Sequence, residues 1–374
     1  MAEEAQPAVK TEEAQPAVTP GAAQPAVTPG AAKPVVKRQL AMVLDLNKCI
    51  GCQTCTIACK RLWTRDEGME YMWWNTVNTM PGRGTPRDWE QMGGGFKDSI
   101  PVPGKMPTRK EFGEAWEFNH EEVFFGGKGD KAHLKVVGEE PDWGPNWDED
   151  QGAGEYPNAY YFYLQRICNH CTDPACLASC PRNAIIKREE DGIVLIDEDR
   201  CRGYRFCIEA CPYKKIYFNN TTKVAQKCIF CFPRIEQGVA NACARQCPGR
   251  VRFVGYRDDK NGPVWKLVEK WKVALPLHPE SGTNPNVFYV PPLAPPRFDE
   301  NGEIDESKPR IPNEYLISLF GPKVLEVLET LKGEMKRTRN GGKSELMDLL
   351  IAYRWKEMFG GFDRDPATIE WTKA

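Results

Sequence analysis

No stretch of this chain approaches the roughly 20 consecutive apolar residues that cross a bilayer, so any membrane attachment has to come through another chain. Nor is there an excess of one charge. Fifty Lys and Arg against 52 Asp and Glu leave a net charge of -2, which gives no support to nucleic-acid binding or to a polybasic membrane anchor. No apolar core of the secretory-signal kind is found near the N-terminus, and Lys37-Arg38 is not followed by one. Hydrophobic residues make up only 41%, beside 32 glycines and 31 prolines in 374 residues. That composition describes a loop-rich protein that leans on metal for its core as well as on apolar burial.

One further absence is more pointed: a single cysteine. Fifteen cysteines fall into four groups, Cys49-Cys52-Cys55-Cys59, Cys168-Cys171-Cys176-Cys180, Cys201-Cys207-Cys211 and Cys228-Cys231-Cys243-Cys247, and none lies outside them. The third group reads CRGYRFCIEACP, a C-x2-C-x2-C-x3-C-P run with Tyr204 in the place of one cysteine. An odd count weakens a purely disulfide-bonded reading. Spacings of two and three residues suit several thiolates converging on one inorganic core, and this run is how bacterial ferredoxins hold iron–sulfur clusters.

The chemistry follows from the spacing. Cysteines at i, i+3 and i+6 let one backbone loop wrap a corner of a cluster, with its N–H groups turned towards the sulfides. The fourth cysteine leads away and, in two-cluster ferredoxins, ligates the other cluster. Proline follows it at Pro181, Pro212 and Pro248, whereas Cys59 is followed by Lys60. Between the second and third groups, Ala184-Ile185-Ile186 and Ile193-Val194-Leu195-Ile196 flank Asp191-Gly192 and predict a hairpin. These two groups therefore pair, leaving the first and fourth to pair across a long insertion. The expected ligand sets are Cys49, Cys52, Cys55 and Cys247; Cys59, Cys228, Cys231 and Cys243; and Cys168, Cys171, Cys176 and Cys211, each for a [4Fe-4S] cluster. Cys180, Cys201 and Cys207 remain, with Tyr204 at the vacant ligand place. Tyrosine is a hard oxygen donor of high pKa, so three thiolates predict a [3Fe-4S] cluster there. It is expected to be the easiest to reduce, or near it. Zinc ribbons also use C-x2-C pairs, but zinc takes four ligands per site and the three-thiolate set offers no replacement. His170 is read as packing or as a hydrogen-bond partner of a sulfide rather than as a ligand. Basic residues crowd these groups, among them Lys187, Arg188, Lys215, Lys227 and Arg252. Cations near anionic clusters would raise their potentials, though many of these residues are ordinary structural or solvated charges.

The expected fold class is α+β: two ferredoxin-like two-cluster modules, a long loop-rich insertion and a helical C-terminal region. Residues 1–37 repeat AQPAVTPGA-like units, too rich in proline for helix or sheet, and read as a disordered tail. Residues 38–61 form the first cluster-binding segment, with a buried strand over Leu40–Leu46. Residues 62–161 hold no cysteine but seven of the eleven tryptophans, Trp63, Trp73, Trp74, Trp89, Trp116, Trp143 and Trp147, which serve either the insertion's own core or a partner surface. Residues 162–259 form the ferredoxin-like core. In 260–374, helical spacing predicts helices over Pro322–Leu331 and over Ser344–Phe359. Ser344 is the N-cap of the latter, and Leu346, Leu349, Leu350 and Tyr353 share one face.

The segments CIGCQTCTIACK, CNHCTDPACLASCP, KREEDGIVLIDEDRCRGYRFCIEACPYKKIYFN and KCIFCFPRIEQG, with NWDEDQGAGEYPN at Asn146 to Asn158 and NVFYVPP at Asn286 to Pro292, resemble the iron–sulfur β subunits of the dimethyl sulfoxide reductase family of molybdoenzymes. The nearest branch contains nitrate, selenate and chlorate reductases and dimethyl sulfide and ethylbenzene dehydrogenases. The resemblance implies an electron-transfer chain with no active site of its own. It would stand between an α subunit carrying the bis-molybdopterin guanine dinucleotide molybdenum centre and a γ subunit, often with haem b. It also implies a [3Fe-4S] cluster on the γ side. Tyrosine at the vacant place is typical of the dimethyl sulfide and ethylbenzene type and tilts the expected location to the periplasm, reached by co-export with the α subunit; the cytoplasmic face is the alternative. Other four-cluster subunits, in nitrate reductase or nitrite oxidoreductase, formate dehydrogenase or hydrogenase, are the competing reading.

Overall fold

The computed structural model describes residues 35–81, 96–97, 100–101, 152–154, 157–299 and 301–368. The Pro/Ala-rich segment up to residue 34 lies outside them, as do Trp89, Trp116, Trp143 and Trp147.

Leu40–Asp45 is a strand with every residue buried. Its unbroken run of apolar residues demands cover on both faces. It sits inside a four-stranded sheet. On one side it pairs antiparallel with Arg252–Tyr256, from Leu40 opposite Tyr256 to Leu44 opposite Arg252. On the other it runs parallel to Val287–Val290, which in turn pairs with Leu275–Pro276. The antiparallel register decides where cysteines meet. The chain leaves Leu44 for Cys49 at the same end of the sheet at which it arrives from Cys247 into Arg252.

Thr76–Met80 pairs antiparallel with Phe162–Arg166, so the chain returns beside the start of the insertion and Arg166 delivers it to Cys168. Two hairpins follow. Ile185–Lys187 pairs with Val194–Ile196, and the turn between them uses Gly192 at φ +71°. Ile216–Phe218 pairs with Ala225–Lys227 and joins the third cysteine group to the fourth. Ile185, Val194, Ile216 and Ala225 pack with Cys176 and Cys207 in one buried cluster, so the hairpins and the thiols share a core.

At the C-terminal end, helices Asn313–Phe320, Val324–Arg339 and Glu345–Ile351 add Leu316, Leu319, Val327, Leu331, Leu346 and Leu350 to the main core around the sheet. Ser344 caps the last of them, its Oγ accepting the N–H of Met347 at 3.1 Å. The helix expected to reach Phe359 stops at Ile351. Ala352 turns to φ +55° and a short 3-10 helix covers Trp355–Phe359. Tyr353, expected on the apolar face, is 70% exposed. The reason is tertiary: Lys48 Nζ donates to the Leu350 carbonyl at 2.6 Å and Arg250 Nη1 to the Ala352 carbonyl at 2.8 Å. Both cations take up carbonyls at the negative end of the helix and stabilise its end there.

Candidate metal centres

The fifteen cysteines are all free thiols. Cys49, Cys52, Cys55 and Cys247 line one cleft. Cys168, Cys171, Cys176 and Cys211 line a second. Cys228, Cys231 and Cys243 stand near enough to Cys59 for their repulsion to add to burial and push its thiol well up. Cys207 is pushed up to about 12 by burial and then by Cys180 and Cys201. Tyr204 is 58% exposed, its ring tilted against Phe206 at 6.4 Å. It occupies the same step of its loop as Cys52, the exposed cysteine of the first group.

The backbone explains the convergence. In every group the residue two after the first cysteine has a left-handed conformation: Gly51 at φ +69°, His170 at +42°, Gly203 at +67° and Phe230 at +53°. Such a reversal turns successive N–H groups into one concavity, a setting for anions. N–H groups already reach sulfur, from Phe230 to Cys228, from Ala184 to Cys180 and from Ala225 to Cys201, each at 3.4 Å. After the fourth cysteine, Cys-Pro is followed by a second left-handed residue, Asn183, Lys214 or Arg250, which bends the chain away. The first group lacks that proline, and its helix runs unbroken over Thr54–Trp63. Lys60 instead buries its ammonium against the carbonyls of Met69, Glu70 and Met72 at 2.6, 2.8 and 2.9 Å. The extra turn carries Trp63 to Cys231, whose sulfur accepts the indole N–H at 3.0 Å.

The donor set fits an anionic polynuclear cofactor. Neither cleft is lined by a carboxylate, while Lys48 and Arg252 line the first. Burial pushes Cys49 up to about 11 and Cys171 and Cys243 up to about 12, and a metal core bound there would favour the thiolate form. Among the described residues, no three His, Cys, Asp or Glu side chains converge tightly enough for a single ion. A zinc ion would need its thiolates within about 2.3 Å of one point, whereas ligands spread around a space suit the corners of a cluster. His170 is buried, and its Nδ1 accepts the N–H of Val194 at 3.1 Å. Its Nε2, which that tautomer makes the donor, has no protein partner, and the ring lines the Cys168 cleft. A sulfur acceptor there would satisfy it.

Two side chains that touch the thiols carry no clear signal in the sequence. In the sequence Trp63 reads as part of the insertion's core or of a partner surface, and its bond to a cysteine sulfur is reached through the helix that continues past Cys59. Arg252 was one of many basic residues. It is fully buried, donating to Cys55 Sγ at 3.3 Å and to Asn75 Oδ1 at 2.9 Å. Burial alone would raise the Cys55 thiol, but the Arg252 charge and the hydrogen bonds from Asn75 and Arg252 outweigh it and lower its pKa. Most of the other basic residues are structural. Arg188 pairs with Glu236 at 2.7 Å, and Lys187, Lys215 and Lys227 are buried and donate to backbone carbonyls.

Among the described residues no helix is long and apolar enough to cross a membrane. The family profile of the 4Fe-4S dicluster domain matches residues 159–257, which hold the second, third and fourth cysteine groups. The β subunit of dimethylsulfide dehydrogenase from Rhodovulum sulfidophilum is 59% identical over 325 residues, covering 87% of this chain and 99% of that protein. The selenate reductase β subunit of Thauera selenatis is 57% identical with the same coverage. The β chain of respiratory nitrate reductase 1 of Escherichia coli is 35% identical over 87% of this chain and 84% of its own length. With its thiol-lined sites, this chain belongs to the iron–sulfur β subunits of the dimethyl sulfoxide reductase family, the electron-transfer subunits of molybdoenzymes.

Proposed function

We propose that this chain carries three [4Fe-4S] clusters and one [3Fe-4S] cluster and relays electrons between a molybdenum α subunit and a haem b γ subunit. Cys49, Cys52, Cys55 and Cys247 hold one four-iron cluster. Cys59, Cys228, Cys231 and Cys243 hold a second, and Cys168, Cys171, Cys176 and Cys211 a third. Cys180, Cys201 and Cys207 hold the three-iron cluster, with Tyr204 at the exposed corner where a fourth thiolate is missing. When bound, the clusters pass one electron at a time.

The observation that carries the reading is the common exposed corner of the first and third loops, with a thiol at Cys52 and a phenol at Tyr204. Supporting it are the two thiol-lined clefts and the loop reversals at Gly51, His170, Gly203 and Phe230. The clusters pair in two ferredoxin-like modules. One is built on the second and third groups around the first hairpin, the other on the first and fourth groups around the central sheet. The helices of 260–374 cover them. The similarity to dimethylsulfide dehydrogenase, with the tyrosine, favours a periplasmic complex of that type, its β subunit exported with the α subunit.

Iron and acid-labile sulfide assays on the purified complex, with the α subunit's content subtracted, test the reading. Three cubane clusters and one three-iron cluster per β chain are expected, and a β chain with four equal cubanes would contradict it. Fractionation that recovers the complex with cytoplasmic markers would overturn the periplasmic assignment.

A further inference from the structure

Arg252 is the largest of the fully buried side chains, and no described carboxylate pairs with it. A buried charge without a counter-ion is unfavourable, so its retention in the core calls for an anion close by. The buried lysines differ in this respect, because they donate to backbone carbonyls. Arg252 donates instead to the sulfur of Cys55 and to Asn75 Oδ1, with a longer contact from Nη1 to Met42 Sδ at 3.8 Å. Its Nε is buried with no hydrogen-bond partner.

Its place is as telling as its partners. It begins the strand that follows the fourth cysteine group, opposite Leu44, and forms part of the wall of the cleft shared by Cys49, Cys52, Cys55 and Cys247. The helix Thr54–Trp63, which carries Cys55 and Cys59, packs on the short helix Ala242–Arg245, which carries Cys243. The strand that Arg252 begins also packs on Ala242–Arg245, so the guanidinium, bonded to Cys55 and lining the cleft with Cys247, stands beside the two helices that carry Cys59 and Cys243. One cation therefore faces thiols of two different ligand sets.

We propose that Arg252 is a shared tuning residue that holds up the reduction potentials of the two clusters on either side of it. One is ligated by Cys49, Cys52, Cys55 and Cys247, the other by Cys59, Cys228, Cys231 and Cys243. Reduction adds one negative charge to a cluster, and a fixed positive charge favours the more negative form. Guanidinium is suited to this because it stays protonated at any working pH. The inference rests on the cluster assignment given above and adds the residue that sets the energy of two of its four steps.

The test is an electron paramagnetic resonance redox titration of the whole complex carrying Arg252→Gln or Arg252→Lys, with iron and sulfide assays on each. Arg252→Gln is expected to make reduction of these two clusters at least about tenfold less favourable, about 59 mV for a one-electron couple. The other two clusters stay in place, and Arg252→Lys restores most of the shift. Retention of all clusters in Arg252→Gln with unchanged potentials overturns the proposal. Equal shifts in Arg252→Lys and Arg252→Gln also overturn it, since hydrogen-bond geometry rather than charge would then be responsible. If Arg252→Gln loses a cluster, Arg252→Lys decides. Retention at near-native potentials supports the charge, while loss in both variants makes the residue a structural clamp and overturns the proposal. Fewer than four clusters in the unsubstituted chain would count against the cluster assignment itself and is read separately.

Discussion

The indole N–H of Trp63 points at the sulfur of Cys231, 3.0 Å away and 168 residues later in the chain. A hydrogen bond to a ligating sulfur withdraws electron density and stabilises the reduced cluster. Trp63→Phe keeps most of the ring packing and removes the donor. The cluster proposed for Cys59, Cys228, Cys231 and Cys243 should then fall in potential by roughly 20–60 mV, the one-electron equivalent of a hydrogen bond of about 0.5–1.5 kcal/mol. Potentiometric titration reads it, and an equal fall in all the clusters would argue against a local bond.

Lys60 stands where the other groups have proline and anchors three carbonyls inside the protein. Lys60→Met leaves those carbonyls without a donor. The holo-protein should lose at least about 2 kcal/mol of stability, seen as bleaching of cluster absorbance at lower denaturant. Bleaching at an unchanged midpoint would mean that water takes over the ammonium's role.

Gly203 sits at φ +67°, and a Cβ there would come within 2.6 Å of the Lys223 carbonyl oxygen. Gly203→Ala therefore both strains the loop, by about 1 kcal/mol, and pushes it off the second hairpin. The site of Cys180, Cys201 and Cys207 should lose its iron first on mild oxidation while the other three persist. Uniform iron loss across the sites would show that the loop is not individually strained.

Tyr204→Cys supplies the missing thiolate at an exposed corner. Reconstituted complex should lose the three-iron resonance signal, gain a fourth cubane and show a lower potential at that site. An unchanged titration curve would mean that something other than the absent thiolate keeps the fourth iron away.

Parts of this architecture are plain in the sequence because a single local force decides them. The apolar run at Leu40–Asp45 has to be covered on both faces, and Ser344 has the hydroxyl that a helix start needs. Asp191-Gly192 marks the first hairpin, since Gly192 takes the left-handed turn. The second hairpin, Ile216–Phe218 with Ala225–Lys227, is hard to read because AQK has no strand-like pattern. Packing of Ile216 and Ala225 on Cys176 and Cys207 makes it a strand pair. The stop at Ile351 depends on Lys48 and Arg250, some 300 and 100 residues away in the chain. At the sites, cysteine spacing implies which thiols group only through likeness to two-cluster ferredoxins. The physical reason that Cys49 and Cys247 share a cleft is the register of Leu44 on Arg252. Arg252 itself carries no local signal, because a buried arginine and a surface one look alike until the strand is in its sheet.

The central claim is that the loop with Tyr204 in place of a cysteine holds a three-iron cluster. Low-temperature electron paramagnetic resonance of the oxidised complex, with spin quantified against the β chain, tests it most directly. One [3Fe-4S] signal per chain is expected, disappearing on reduction ahead of, or close to, the first of the cubanes. Fully iron-loaded complex without that signal would contradict it.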